Sequence, residues 1–277
     1  MSSFTINDHL ISGSKTAFLA TPNVGGKFKP GNLDTLVIHY TAGSSAESSI
    51  RSMQDPKAKA SAHLVVGRDG SVTQLVPFDT IAWHAGRSEH NGRIGMNNYS
   101  LGIEIDNAGL LEKHGSTYVS WFKRQYKEED VVYAVHRNES VARYWHEYTE
   151  DQILKVQELC EILVNTYDLK FILGHEEISP GRKVDPGPAF PLDKIRNKLL
   201  FNDRDNDGKP DVVELAKEGI TMGSLLNFRD QPSTSSEMVA KPLKNGTLVK
   251  IISEQGDWYR VKVELEGWVN KKFVKPL

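Results

Sequence analysis

Leu33-Asp-Thr-Leu-Val-Ile-His-Tyr40 is a short apolar run, rich in β-branched residues and closed by Thr41-Ala-Gly43. A run of this length bounded by turn residues reads as a buried strand, and it ends on a histidine. Downstream, Ser61-Ala-His-Leu-Val-Val66 and Ser71-Val-Thr-Gln-Leu-Val76 flank Gly67-Arg-Asp-Gly70, which predicts a hairpin with Asp69-Gly70 in its turn. Tyr99-Ser-Leu-Gly-Ile-Glu-Ile105 reads as a further strand. Tyr148-Thr-Glu-Asp-Gln-Ile153 opens a long amphipathic helix, with Thr149 as N-cap and Gln152 completing a capping box. Phe171-Ile-Leu173 returns as a strand ending at Gly174-His175. Strands alternating with helices in this order predict an α/β domain on a mixed central sheet flanked by helices.

The rest of the chain departs from that pattern. Residues from about 112 to 146 are polar and aromatic (Trp121, Phe122, Tyr126, Tyr133) and read as an insertion beside the sheet. Beyond Leu200 comes an acidic stretch, then short alternating segments separated by Gly, Asn or Asp. These include Thr247-Leu-Val-Lys-Ile-Ile252 and Trp258-Tyr-Arg-Val-Lys-Val263, and they predict a small all-β barrel. The expected organisation is an α/β domain over 1–200, an acidic linker over 201–222 and a barrel over 223–277.

At 277 residues, one larger and one smaller domain is the expected division. Apolar residues make up 39% and charged residues 25%, and the net charge of −2 lacks the basic excess of a nucleic-acid binder. No apolar run of about 18 residues is present, so membrane insertion is not expected. Met1 to Leu10 carries no basic segment followed by an apolar one, so no secretory signal is visible. The single cysteine, Cys160, lies in the helical spacing of 152–164 and reads as a buried small hydrophobe rather than a nucleophile.

Three groups can carry chemistry: His39 at one strand end, His175 at another, and Asp185 in a Pro/Gly-rich loop. Two imidazoles and a carboxylate form a metal-binding set typical of hydrolases, because three protein ligands leave a fourth position for water. Histidines at strand ends are also common as structural residues, so the surrounding text has to decide.

Leu36-Val-Ile-His39-Tyr-Thr-Ala-Gly43, Ser61-Ala-His-Leu-Val-Val-Gly-Arg-Asp-Gly70, Ala82-Trp-His-Ala-Gly86, Asn97-Asn-Tyr-Ser-Leu-Gly-Ile-Glu104 and Gly174-His175-Glu-Glu-Ile-Ser-Pro-Gly-Arg-Lys183-Val-Asp185-Pro-Gly-Pro-Ala-Phe190 follow one another in this order. Together, over roughly residues 20 to 200, they resemble the N-acetylmuramoyl-L-alanine amidase family. That group includes AmpD-type enzymes, phage amidase lysozymes and peptidoglycan recognition proteins.

The resemblance implies zinc at His39, His175 and Asp185, a general base at Glu104 and an oxyanion-stabilising cation at Lys183. Relatives that instead use a tyrosine as base carry it just before the histidine of a Tyr-His-Phe strand. Ala62 stands there in this chain, which moves the base role to Glu104. His63 and His84 lie in family motifs without being ligands there. Trp83, His84 and Arg93 are candidates for the substrate groove, with packing as the alternative. His9, His90, His114, His136 and His146 read as surface or packing residues.

Asp203-Arg-Asp205-Asn-Asp207-Gly208-Lys-Pro-Asp211-Val-Val-Glu214 fits a twelve-position calcium loop, with oxygen donors at alternate positions and Gly208 at the sharp turn. Its ligands would be Asp203, Asp205, Asp207, Asp211 and Glu214, clasping the two domains. A solvated acidic linker is the alternative. Leu226-Asn-Phe-Arg229, Gly256-Asp-Trp-Tyr259 and Gly267-Trp-Val-Asn270 resemble the bacterial SH3-like domains attached to wall hydrolases, which implies binding to peptidoglycan.

The resemblance thus implies a monomeric, zinc-dependent hydrolase that cuts the bond between N-acetylmuramic acid and L-alanine in peptidoglycan or soluble muropeptides. It would act at the cell wall, in the periplasm or outside the cell, with a cytoplasmic recycling role as the alternative. A non-catalytic peptidoglycan-binding module is the rival from another class. A phage lysin or antibacterial effector would use the same chemistry, and an effector would imply an immunity protein.

Overall fold

The computed structural model describes residues 3–200, 218–222, 225–233, 236–255 and 258–264. The chain separates into two compact units, residues 1–206 and 207–277. The first is built on six strands: β1 (Thr16–Phe18), β2 (Thr35–Tyr40), β3 (Leu64–Val66), β4 (Val72–Gln74), β5 (Ser100–Ile105) and β6 (Phe171–Gly174). Their order across the sheet is β6-β2-β5-β3-β4-β1. The first four of that order are mutually parallel; β4 runs antiparallel to β3 and parallel to β1. The expected mixed sheet is therefore observed, and the hairpin at Asp69-Gly70 is its β3–β4 connection.

Strand β2 is hydrophobic from Leu36 to Ile38, up to His39, because both faces of the sheet are covered. Leu36 and Ile38 enter a core shared with Leu101, Ile103 and Ile105 of β5 and with Val156, Leu159, Cys160 and Leu163. Val37 points the other way, into a cluster with Ala85, Met96, Leu173 and Ile178. Alternation along a strand then puts His39 on the Val37 face and Glu104 on the same face of β5. The first helix, α1 (Ala46–Gln54), covers that second face through Ala46 and Ile50, which pack with Val65, Leu75 and Ala82.

The second helix, α2 (Glu150–Tyr167), covers the first face. Thr149 caps it as predicted: its hydroxyl accepts from the Gln152 N–H, and Gln152 Oε1 accepts from the Thr149 N–H. The helix ends at Asp168, whose φ of 52° is left-handed and cannot continue the turn. Truncating fully buried Leu159 to Ala would cost about 2–5 kcal/mol, since the close-packed site cannot collapse around the lost methyls. Two shorter helices follow, α3 (His175–Ile178) and α4 (Leu192–Leu200).

The insertion forms a five-stranded antiparallel sheet of its own. It runs from Leu110 to His146 in the order Gln125–Tyr126, Thr117–Val119, Leu110–His114, Ala142–His146, Val131–Val135. The sequence, lacking long apolar runs here, pointed only to an insertion. Its strands are short, and many of its residues are only partly buried.

In the second unit, Glu218–Ile220, Leu248–Gln255 and Trp258–Lys262 form a three-stranded antiparallel sheet, and Leu225–Leu226 pairs with Leu243–Lys244. Residues 218–220, expected within the acidic linker, belong instead to this sheet, with Glu218 paired to Lys250. The calcium-loop residues Asp203, Asp205, Asp207, Asp211 and Glu214, and the Gly267–Asn270 segment, lie outside the described residues. Among the described residues no helix is long and apolar enough to cross a membrane.

Candidate metal centre

His39 sits at the C-terminal end of β2, and His175 follows directly on β6, the neighbouring parallel strand. Open parallel sheets gather ligands at this edge because the loops leaving the strands converge there. The loop after α3 carries Asp185 back to the same point, held by a hydrogen bond from the Glu176 N–H to the Asp185 carbonyl (2.9 Å). His39 Nδ1 and His175 Nδ1 lie 2.9 Å apart, and each is 3.0 Å from Asp185 Oδ2. All three residues are buried.

The outer nitrogens fix which atoms carry protons. His175 Nε2 faces the Ala85 carbonyl at 3.0 Å and Arg182 Nη2 at 3.3 Å; with its proton given to the closer partner, the carbonyl, which only accepts, Nδ1 presents a bare lone pair. His84 Nε2 faces the Ser100 carbonyl at 3.2 Å and donates to it, which leaves His84 Nδ1 as an acceptor. That nitrogen takes the proton of His39 Nε2 at 2.9 Å, so His39 Nδ1 is bare too. Two bare lone pairs and a carboxylate oxygen within 3.0 Å of one another repel unless a cation lies between them. Their spacing is close to the roughly 3.3 Å between ligands of a tetrahedral ion with ~2.0 Å bonds. The donor set fits a metal ion, and among the described residues it is the one such cluster.

Burial, with the charge of His175, lowers His39 to about 4, so it stays neutral and able to ligate. His84 is held well below the usual histidine range by burial and by neighbouring His39 and His63. Its ring lies against Gly102, where a Cβ would approach it to 2.5 Å. Only glycine allows that contact.

Glu104 pairs in register with His39 across the β2–β5 ladder. Its Oε2 is buried with no hydrogen-bond partner among the described residues. Burial and the Asp185 charge push its carboxyl up to about 8, opposed by Lys183. The Lys183 charge also acts on His39, so it bears on both the triad and Glu104.

The other candidates divide. His84 does not stand free in a groove but holds His39 from behind. Trp83 stands next to it, half-buried, with its backbone tied to Ser61. Arg93 is elsewhere: it pairs with Asp34 at 2.8 Å and lies over the Tyr99 ring, at the start of β2. Five residues at ~3.3 Å each put it roughly 16 Å from His39, at the opposite edge of the sheet. His63 is structural, accepting from the Gly102 N–H and donating to the Thr80 carbonyl.

Sequence reasoning missed a brace on the His175 segment. The Glu176 carboxylate accepts from His136 Nε2 (2.7 Å), Arg137 Nε (2.9 Å) and the Gly187 N–H (3.0 Å). His136 and Arg137 come from the insertion, which thereby ties down both ends of the 175–187 loop. The run of paired acids at Glu176-Glu177 was a signal, but its partners lie 40 residues away.

Residues 29–188, which include His39, Glu104, His175, Lys183 and Asp185, match the family described as N-acetylmuramoyl-L-alanine amidase. Residues 224–275 match the bacterial SH3 domain. The chain is 31% identical over 140 residues to the 1,6-anhydro-N-acetylmuramyl-L-alanine amidase AmpD of Escherichia coli K12, covering 50% of this chain and 57% of that protein. It is 28% identical over 172 residues to the N-acetylmuramoyl-L-alanine amidase AmiD of the same strain, covering 59% and 52%. It therefore spans little more than half the length of these curated relatives. A crystal structure of a selenomethionine derivative of AmpD aligns with a TM-score of 0.49 at 23% identity, over 71% of this chain and 99% of that one. With the matched segment covering more than half its length, the chain belongs to the N-acetylmuramoyl-L-alanine amidase family.

Proposed function

We propose that this protein is a zinc-dependent hydrolase that cleaves the amide between the lactyl group of N-acetylmuramic acid and L-alanine in peptidoglycan. The observation that carries the reading is the convergence of His39 Nδ1, His175 Nδ1 and Asp185 Oδ2, with each imidazole held from behind through its Nε2. A zinc ion held there supplies a Lewis acid that polarises a carbonyl and brings the pKa of water toward ~7.

The chain's own residues then handle protons and charge. Glu104, beside His39, takes the proton of the attacking water and returns it to the departing L-alanine nitrogen. Its environment suits the task, since a carboxyl held at about 8 gains and loses a proton near neutrality in the metal-free site. Lys183 stabilises the negative charge that builds on the carbonyl oxygen, an interaction made most strongly in the transition state. The SH3-like unit is assigned to hold the enzyme on wall polymer, so the place of action is the cell wall.

Digestion of purified sacculi with zinc-loaded and chelated protein, with mass identification of freed ends, tests this. Free L-alanine amino termini that appear only with metal are expected. Reducing sugar ends, or peptide ends other than L-alanine, would overturn the assignment.

A further inference from the structure

Trp121 lies in the insertion and takes no part in the chemistry above. Its side chain is 70% exposed, and it is the one exposed large hydrophobic between Ile94 and Tyr133. An exposed indole is usually free to rotate, yet this one is fixed at two places. Its Nε1–H donates to the Ala42 carbonyl at 2.7 Å, and its ring stands edge-on to Phe122 with centroids 5.6 Å apart. Arg124, from the same turn, donates to the Ser44 carbonyl at 2.6 Å. Because the N–H is the indole's only polar atom, what remains exposed is a purely apolar, rigid face.

The place of that face matters. Ala42 follows His39 by three residues, a reach of at most on the order of 10 Å. Ala42 also has a φ of 48°, a left-handed conformation that costs a non-glycine residue energy and that the Trp121 and Arg124 bonds help to hold. The insertion therefore presents a flat aromatic surface on the loop that leaves the His39 strand. Along the chain, Phe122 stands edge-on to the indole and the residues that follow it, Lys123, Arg124 and Gln125, are polar.

We propose that Trp121 is the platform of a saccharide subsite, stacking on a pyranose ring of the glycan strand. This rests on the amidase reading. The scissile amide joins the stem peptide to the lactyl arm of muramic acid, so any productive substrate brings sugar rings within a few bonds of His39 and Asp185. The C–H face of a pyranose is flat and apolar, matching what Trp121 offers, whereas the stem peptide is extended and bears carboxylates.

The test compares wild type, Trp121→Ala and Trp121→Phe as full-length zinc-loaded protein. Two readouts are taken: binding of peptide-free glycan strands by calorimetry, and KM and kcat on a disaccharide muropeptide. Trp121→Ala is expected to bind strands about tenfold more weakly, the scale of one aromatic stacking contact, with the loss on muropeptide appearing in KM rather than kcat. Trp121→Phe keeps a ring but not the N–H donor, and is expected to retain most of the binding. Unchanged strand binding in Trp121→Ala overturns the proposal. Equal losses in Ala and Phe variants with a fallen kcat also overturn it, because the side chain would then act only as a brace on the Ala42 loop. Should the Ala variant fail to fold, the Phe variant alone still separates platform from brace. Failure of wild type to cleave muropeptide, with strand binding intact, would sink the amidase reading and leave the subsite standing.

Discussion

Asp185 and Glu104 are two carboxyls that bear on one small site, and their surroundings drive their proton affinities apart. Burial alone would raise both. In the metal-free site the ring protons can shift to Nδ1 of His175 and His39, which then donate to Asp185; this outweighs burial and holds it far below the usual carboxylate range. Glu104 has an oxygen with no partner among the described residues and feels the Asp185 charge, so it rises to about 8. A pair of like groups pushed in opposite directions is how one site obtains a fixed anion and a proton carrier together. The loop carrying Asp185 is built to hold charge in place, and the strand carrying Glu104 is built to let it go.

The harshest way to break the comparison is to remove what holds Asp185. His175→Ala or His39→Ala is expected to abolish bound zinc and turnover together, because two ligands cannot retain the ion in an open site. Full zinc by elemental analysis in His175→Ala would refute the ligand set.

Glu104→Gln should keep zinc and fold while turnover drops by about 10²–10⁴-fold, the usual worth of a general base. Near-normal turnover in a single-turnover assay would return Glu104 to a structural role. His84→Ala tests the support behind the ligands. Losing the acceptor for His39 Nε2–H should weaken zinc affinity about 10–100-fold in a chelator competition. Gly102→Ala should move it the same way by displacing the His84 ring.

The two carboxyls also predict opposite pH responses in chelated protein. Between about 4.5 and about 8 the folded state keeps a proton on Glu104 that the unfolded chain has released. Its contribution to stability is therefore full below about 4.5 and is lost as pH rises to about 8. Asp185 behaves inversely, its contribution being lost as pH falls below 3.8. Denaturant unfolding across pH should show the alkaline loss in wild type and a flatter profile in Glu104→Gln; identical profiles would contradict the assignment.

The smallest effect at the metal centre is expected from deleting residues 207–277. Cleavage of soluble muropeptides should persist, since the site lies wholly in the first unit, while action on insoluble wall falls with the lost local concentration. Equal losses on both substrates would show that the small unit shapes the centre instead.

Much of this was legible from the chain alone, and the limits are physical. The strand ending at His39, the Thr149–Gln152 cap and the strand delivering His175 rest on neighbours within a few residues, where periodicity and capping chemistry act. The parallel register that sets Glu104 beside His39 was not local, but the strand patterns on both sides made it consistent. The insertion showed only as a break in pattern, since its sheet is short, partly solvated and tied to nothing nearby in sequence.

Sequence by itself thus determined five of the six strands of the sheet and the helix that covers it, because these follow from local spacing and capping. The metal-binding residues were named through the motifs shared with a known family, and the edge strand Thr16–Phe18 went unread. Tertiary structure alone decided that His84 sets the tautomer of His39, that His136 and Arg137 clamp Glu176 and that Arg93 stands at the far edge. Those roles depend on contacts between residues some 40 to 60 positions apart. Only the packed sheet and its insertion bring such partners within hydrogen-bonding distance.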